Sequence, residues 1–355
     1  MPTSRRVTFR STYRFQAGPC MSSSSTSSES AIRVRPPARA YSALLRLGIS
    51  LFLALAWALA HAAQLPDGSA IAVVYPDLGE PFRSVFAQII EGIEEQANRR
   101  VNTHPVGPNS NAAELSAQLK HNGTRVVIVL GRQGVNIASR LDRDIAVVVG
   151  GVLSVPEADS RNLMGISLTP DPTLLFAFLK KLLPSVKRVT VIYDPRNNAW
   201  LLKLAQVAAK AQGLELVAHE APDLATAARL YEAAFAAADS RLDAIWLPHD
   251  ATTVDEVTIL PLVLKESWNR SVPIFSSSFL HVKKGALFAL YPNNMELGRD
   301  LANLALGVLA GEPRKRGVSP LREVYTAVNL RTASHIGLNI DRQQQRSFNF
   351  IFPEP

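Results

Sequence analysis

The chain has 355 residues, 47% hydrophobic and 19% charged, which is long enough for two α/β domains with sizeable cores. Its formal net charge of +8 invites a nucleic-acid reading, but that charge is confined. Residues 1–63 hold eight Arg and one acid, Glu29, which leaves 30 basic and 29 acidic side chains in the remainder. A nucleic-acid footprint needs cations clustered on the folded domain, so the near-neutral remainder argues against a nucleic-acid partner.

The first 63 residues read as a leader. Leu47 to Leu59 is an uncharged apolar run preceded by Arg33, Arg35, Arg39 and Arg46, and it ends in Ala60-His61-Ala62-Ala63. Small residues at Ala60 and Ala62 fit a secretory cleavage pattern, so cleavage is expected near Ala62/Ala63. The apolar run is short for a membrane span, which needs ~20 residues; a retained anchor is the alternative. The part before Arg33 is Ser-rich and unusually long for a signal n-region, so Met21 is the expected start, with Met1 the alternative. Cys20 is the single cysteine, so the processed chain has no disulfide, thiol nucleophile or Cys-ligated metal. The expected product is a soluble, exported, periplasmic protein.

From Ser69 onward strand and helix patterns alternate. Ile71 to Tyr75 is a predicted strand; Pro81 then opens a helix on which Phe82, Val85, Phe86, Ile89, Ile90 and Ile93 recur at helical spacing. Val101 to Val106 is a weaker strand, and Asn109 to Asn111 cap a helix over 112–120. Strands come next at 125–130 and 145–149, with a short helix over 135–141 between them. After a polar loop over 156–162 comes a strand over 163–168, and Asp171-Pro172 starts a helix over 173–183. The alternation continues as strand 188–193, helix 199–211, strand 214–219, helix 223–238, strand 243–247, helix 253–269 and strand 272–276. Gly285 to Leu290 is a candidate crossing strand, 295–310 is helical, the basic run Arg314 to Arg316 is a solvated loop, and 324–328 is the last strand. The pattern leaves residues 342–355 without a place. Alternating strands and helices imply right-handed crossovers and parallel sheets.

Two strand-turn-helix units stand out, one in each half. Val189 to Ile192 reads as a strand buried on both faces, with a polar turn after it. Ligands of open α/β sheets bind beyond the carboxyl ends of the strands, which is where Tyr193, Asp194, Asn197 and Asn198 fall. In the other unit Gly131, Arg132, Gln133 and Gly134 come directly after the strand 125–130. Free N–H groups at a helix start attract carboxylate or phosphate, and Arg132 adds a fork-shaped cation; a plain turn with a solvated Arg is the alternative. Asp250 stands just beyond a strand and either neutralises a ligand ammonium or caps the next helix. Asn197 and Asn198 carry the same ambiguity. Two such units suggest two lobes facing one cleft. Catalytic signatures are missing: the seven His are scattered, with no HExxH, GxSxG, P-loop or GxGxxG. The expectation is a chain that is not an enzyme and uses no cofactor or metal.

The order of segments resembles a periplasmic substrate-binding protein of an ABC transporter, of the type I two-lobed class, and within it the branch that includes aromatic-amino-acid binders. The resemblance rests on Asn162 to Ser167 (N-x-x-G-V-S in the family), Leu182 to Val189 (L-L-P-x-x-K-R-V), Asp243 to Asp250, Val272 to Phe275 (I-P-V-F) and Tyr325 to Leu338. It covers 69–340, and the specificity lies in the order of the motifs rather than in any one. It implies an α/β fold of two Rossmann-like lobes with parallel sheets joined by a hinge. Lobe one would be 65–165 plus 286–318, lobe two 166–285 plus 319–346, and 347–355 a tail. By the same resemblance, ligand-facing loops would carry Asp77, Glu80, Gly131, Arg132, Gln133 and Gly151 in lobe one. In lobe two they would carry Tyr193, Asn197, Asn198, Asp250, Thr252 and Ser277, with Tyr291 near the hinge. Many relatives have Gly-Thr where this chain has Gly131-Arg132, so the ligand need not be theirs. The implied function is that of a monomeric solute-binding component that presents a small zwitterionic or anionic ligand to an inner-membrane ABC permease. A sensory module serving a receptor or sensor kinase is the alternative.

Overall fold

In the computed structural model, residues 70–153, 163–313 and 316–353 are described. The leader with Cys20 and its cleavage site, the loop over 156–162 and Arg314-Lys315 lie outside them.

The described residues build two sheets. The first contains β1 (Ile71–Pro76), β2 (Asn102–Val106), β3 (Val126–Leu130), β4 (Ala146–Val152), β5 (Met164–Pro170) and β11 (Gly317–Leu321), in the order β11-β5-β4-β3-β1-β2. Every pairing in it is parallel. The second contains β6 (Arg188–Tyr193), β7 (Glu215–Glu220), β8 (Asp243–Leu247), β9 (Ile274–Ser276), β10 (Phe288–Pro292), β12 (Val324–Asn329) and β13 (Phe350–Phe352). Its order is β13-β12-β10-β9-β8-β6-β7, parallel except where β12 runs against β10.

Central strands are buried along their whole length, as in β3 and β8, because helices cover both faces. On the first sheet α1 (Phe82–Ala97) and α9 (Asn294–Leu309) seal one face through Phe86, Ile89, Ile93, Leu297 and Leu301. The other face is closed by α2 (Ala112–His121) and α3 (Gly131–Ala138). On the second sheet α4 (Pro172–Leu182) and α5 (Pro195–Ala211) enclose a core in which Phe176 meets Trp246 edge-on at 5.6 Å. The opposite face takes α6 (Leu224–Ala237) and α7 (Ile259–Arg270) through Tyr231, Phe235, Leu260 and Val263. Short helices α8 (Phe279–Lys284), α10 (Leu330–His335) and α11 (Arg342–Gln345) complete the helices among the described residues.

Three crossings link the sheets, each a few residues later than the motif order implied. The chain leaves the first sheet after β5, at Pro170, returns after β10, at Pro292, and leaves again after β11, at Leu321. Residues 286–292 therefore accompany the second sheet: Phe288 and Leu290 are buried in its core. Other boundaries also move. Helix α5 begins at Pro195 rather than 199, because Asp194 caps it and Pro195 occupies its first position. Helix α7 begins at Ile259 rather than 253; Asp250 and Asp255 instead hold two successive turns by accepting backbone N–H groups. The segment 347–355 is not merely a tail, since β13 pairs with β12 and Phe352 joins the core.

Helices α1 and α9 touch backbone to backbone. A Cβ on Gly298 would lie 2.1 Å from the Ile89 carbonyl oxygen, and one on Gly92 would lie 2.1 Å from that of Met295. Glycine is required at both places by space. Since α9 is the first element after the second crossing, this contact anchors the returning chain to the first sheet. Gly298→Ala is expected to lower stability by about 1–3 kcal/mol through overpacking. A chemical denaturation curve with an unchanged midpoint would contradict the close approach.

Candidate functional site

The loops after β1, β3 and β4 meet at the carboxyl edge of the first sheet. Gly131 and Gly151 both adopt left-handed φ, at 68° and 64°, a region that glycine enters without a Cβ penalty. A Cβ on Gly131 would stand 3.0 Å from Pro76 Cγ and 3.2 Å from Phe86 Cζ, and one on Gly151 3.3 Å from Phe86 Cε1. The two loops thus close on the same ring. Above it lies a cavity of ≈ 430 Å³ with an apolar wall of Leu78, Phe82, Phe86, Leu153 and Leu168. Phe82 is 56% exposed, unusual for a ring next to a cavity and consistent with a surface meant to be covered.

Gly131, Arg132, Gln133 and Gly151 all line this cavity. Arg132 is exposed and has no hydrogen-bond or ion-pair partner among the described residues. The Gln133 side-chain oxygen is buried without a partner. The site therefore has a free cation beside an apolar wall, with an unmatched acceptor buried among its lining residues. Ser167 Oγ and Thr169 Oγ1 donate to the Leu153 carbonyl at 2.8 and 2.9 Å, which pins the wall to β5. Asp77 and Glu80 are exposed on the neighbouring turn. Glu80 is engaged locally, accepting the Ser84 hydroxyl at 2.6 Å and the Ser84 N–H at 3.3 Å.

On the second sheet the strand ends are joined by two buried carboxylates. Asp250, 3% exposed, accepts the Asp194 N–H at 2.7 Å and Asn198 Nδ2 at 2.9 Å on one oxygen. Its other oxygen accepts the N–H groups of Thr252 and Thr253 at 2.9 and 3.3 Å. Asp194, fully buried, accepts Arg196 Nε and Nη2 at 2.9 and 2.6 Å on its two oxygens, and Thr252 Oγ1 at 3.0 Å. The Arg196 side chain, beside it and hydrogen-bonded to it, holds the Asp194 carboxyl below the ordinary carboxylate range, and Thr252 helps. Asn198, Asp250 and Thr252 are thus brought together, with both Asp250 oxygens taken by donors of their own chain. Asn197 sits beside them, half-buried, and its side chain bonds to no described residue.

The side chains of the remaining predicted residues make no hydrogen bond to these carboxylates among the described residues. Tyr193 is buried in the second core, and its hydroxyl donates to Glu220 at 3.0 Å. Ser277 is buried beyond β9. Tyr291 faces Tyr325 across the antiparallel pair and touches Phe279 and Phe350, with ring centroids 5.1–6.0 Å apart. Its hydroxyl is buried without a partner, and burial pushes its pKa up. The sequence places Asp194 at a strand end but assigns it no bracing role, and it does not single out Leu78, Leu153 and Leu168 as walls. A signal for Asp194 is present: Asp194-Pro195 repeats the Asp171-Pro172 helix start.

Behind Ser277, Ser276 Oγ lies 2.7 Å from His281 Nδ1, and burial lowers the His281 pKa to about 4. The unfolded chain takes up this proton near pH 6.5, the folded chain only near pH 4. Stability should therefore be lost as pH falls through that window. The expected result is an unfolding midpoint that drops between pH 7 and 4 in the natural chain, with a shallower drop in His281→Gln; equal slopes would contradict the burial.

Residues 87–344 match the family described as ABC transporter substrate binding protein. No curated protein matches. Among solved structures, one from Streptococcus pneumonia, described as an ABC domain in complex with L-Trp, aligns at TM-score 0.53 and 18% identity over 80% of this chain and 99% of its own. A ligand-free, open substrate-binding protein with adhesive properties from Clostridium difficile aligns at TM-score 0.58 and 15% identity, over 79% and 98%. A conserved domain protein from Vibrio cholerae aligns at 0.52 and 18%, over 80% and 99%. At these identities the likeness is one of fold, the type I periplasmic binding fold.

Proposed function

The chain belongs to the ABC transporter substrate-binding protein family, and from that premise we propose that it is an exported solute receptor. It holds one small ligand between the strand ends of its two sheets and delivers it to an inner-membrane ABC permease. The observation that carries this reading is the first-sheet cavity, where an unpaired Arg132 and the orphan Gln133 oxygen flank an apolar wall. Arg132 takes an anionic group, a carboxylate above all. The apolar wall takes a hydrocarbon or aromatic portion, and the Gln133 oxygen accepts an N–H or O–H from the ligand. A zwitterion with an apolar side chain has all three. L-Trp, the ligand of the Streptococcus structure, belongs to that class.

The second sheet contributes the facing turns. Asn197 has a free amide at the start of α5 and meets the ligand when the lobes approach. Asp250 acts through others: it orients Asn198, Thr252 and the α5 start and touches no ligand itself. Contacts made only when both lobes meet would stabilise a closed form, so binding shifts the population toward closure. The closed form is what the permease reads. Among the described residues no helix is long and apolar enough to cross a membrane, which suits a carrier that docks on its permease.

The experiment is thermal unfolding of the chain from Gln64 onward against amino acids, organic acids, sugars and nucleosides. A ligand at a hundred times its dissociation constant stabilises by ~2.7 kcal/mol. The reading predicts a shift with apolar amino acids and none with sugars. Removing a charge-assisted hydrogen bond costs ~1.5–3 kcal/mol, so Arg132→Ala should weaken binding by roughly 10- to 100-fold while leaving the unliganded midpoint unchanged. Unchanged affinity in Arg132→Ala would overturn the site.

A further inference from the structure

A second concave surface lies at the far end of the second sheet. Gly285, Asn329 and Phe352 border it. Gly285 precedes β10, whereas Asn329 ends β12, which runs against β10, and Phe352 pairs with Asn329. All three therefore mark the amino edge of β10, opposite the edge that carries the Asp194, Asp250 and Ser277 turns. The groove measures ≈ 790 Å³.

Its charge is of one sign. Lys265 of α7, Lys283 and Lys284 of α8 and Arg331 of α10 line it, and no acid does. Lys284 is paired with Glu256 at 2.9 Å. Lys265, Lys283 and Arg331 have no ion-pair partner among the described residues, although residues 64–355 as a whole are close to neutral, with 30 basic and 29 acidic side chains. Trp268, on α7 with Lys265, adds an apolar wall and is 40% exposed. Its indole stacks on the His335 ring at 3.7 Å, with Arg331 placed 5.4 Å from its centroid, and His335 Nε2 lies 2.8 Å from the Trp268 carbonyl. The indole is thus fixed in an exposed position rather than folded into the core. Beside the groove, β13 is the last strand of its sheet, so one side of its backbone faces no other strand among the described residues.

We propose that this groove docks an acidic, extended polypeptide segment of a partner protein. Unpaired cations on three separate elements complement a segment with several carboxylates better than one compact ion. The fixed indole offers a flat apolar contact of the kind that anchors protein interfaces. An extended segment can also lie along the free edge of β13, which a small ion cannot use. Because the groove and the ligand turns occupy opposite edges of the sheet, both can be occupied at once.

The test uses the chain from Gln64 onward and a fluorescein-labelled hexaglutamate peptide, read by anisotropy at low and high salt. Binding is expected at low salt, weakening as salt rises, with no response from hexalysine. The triple substitution Lys265→Glu, Lys283→Glu, Arg331→Glu should weaken it at least about tenfold, in keeping with three partly exposed ion pairs. Trp268→Ala should weaken it independently, while the unfolding midpoint of each variant stays at that of the natural chain. No salt-dependent binding, or binding that the triple variant retains, would overturn the proposal. Capture by phosphatidylserine vesicles without peptide binding would assign the face to a membrane surface, and equal affinity for inorganic phosphate would assign it to a small anion; either result overturns the peptide reading.

Discussion

The arrangement at the second sheet depends on two buried carboxylates that meet where β6 and β8 end. A buried anion survives only when its lone pairs are matched. Asp250 meets that requirement with four donors from its own chain, and Asp194 does so with Arg196 and Thr252. The consequence is geometric. The start of α5 and the turn after β8 are not independent loops but one bonded unit, so Asn197 is presented from a rigid base. Preorganisation of this kind lowers the ordering cost of binding.

The first sheet reaches the same end by different means. There the loops are drawn together by close packing: two glycines at positive φ let their backbones close on Phe86, and the Ser167 and Thr169 hydroxyls tie Leu153 down. Polar groups are left unpaired rather than satisfied, at exposed Arg132 and at the buried Gln133 oxygen. One lobe thus offers unmatched chemistry and the other a braced polar rim. Under the proposed function, a ligand would settle first on the first sheet and then be covered by the second.

Much of the fold was legible in the sequence because parallel sheets covered on both faces demand continuous apolar strands, and β3, β6 and β8 have them. The helix caps at Asn111 and Asp171 were legible for the same local reason. What failed depends on partners distant in the chain. β13 has three residues and no pattern of its own; it is a strand because Ala327 to Asn329 pair with it and Phe279 packs on Phe350 and Phe352. In sequence Gly285 looks like the start of a strand, which puts the second crossing too early; in the fold it terminates α8.

The candidate site was legible as a set of strand-end loops, but not which of their side chains brace their own turns. Carboxyl ends of strands identify where Gly131, Arg132 and Asp250 lie. Whether an Asp faces a ligand or braces its own turn depends on donors that only the folded chain brings near, Asn198 and the Asp194 N–H among them. The pocket walls Leu153 and Leu168 belong to separate segments and carry no motif.

The central claim is that one ligand bridges the strand ends of both sheets. The most direct measurement is amide hydrogen exchange of the chain with and without the compound that raises its unfolding midpoint most. Slowed exchange is expected in two segments together, residues 131–134 after β3 and residues 196–199 at the start of α5, with the face around Trp268 unchanged. Protection confined to one sheet, or appearing around Trp268 instead, would contradict that claim.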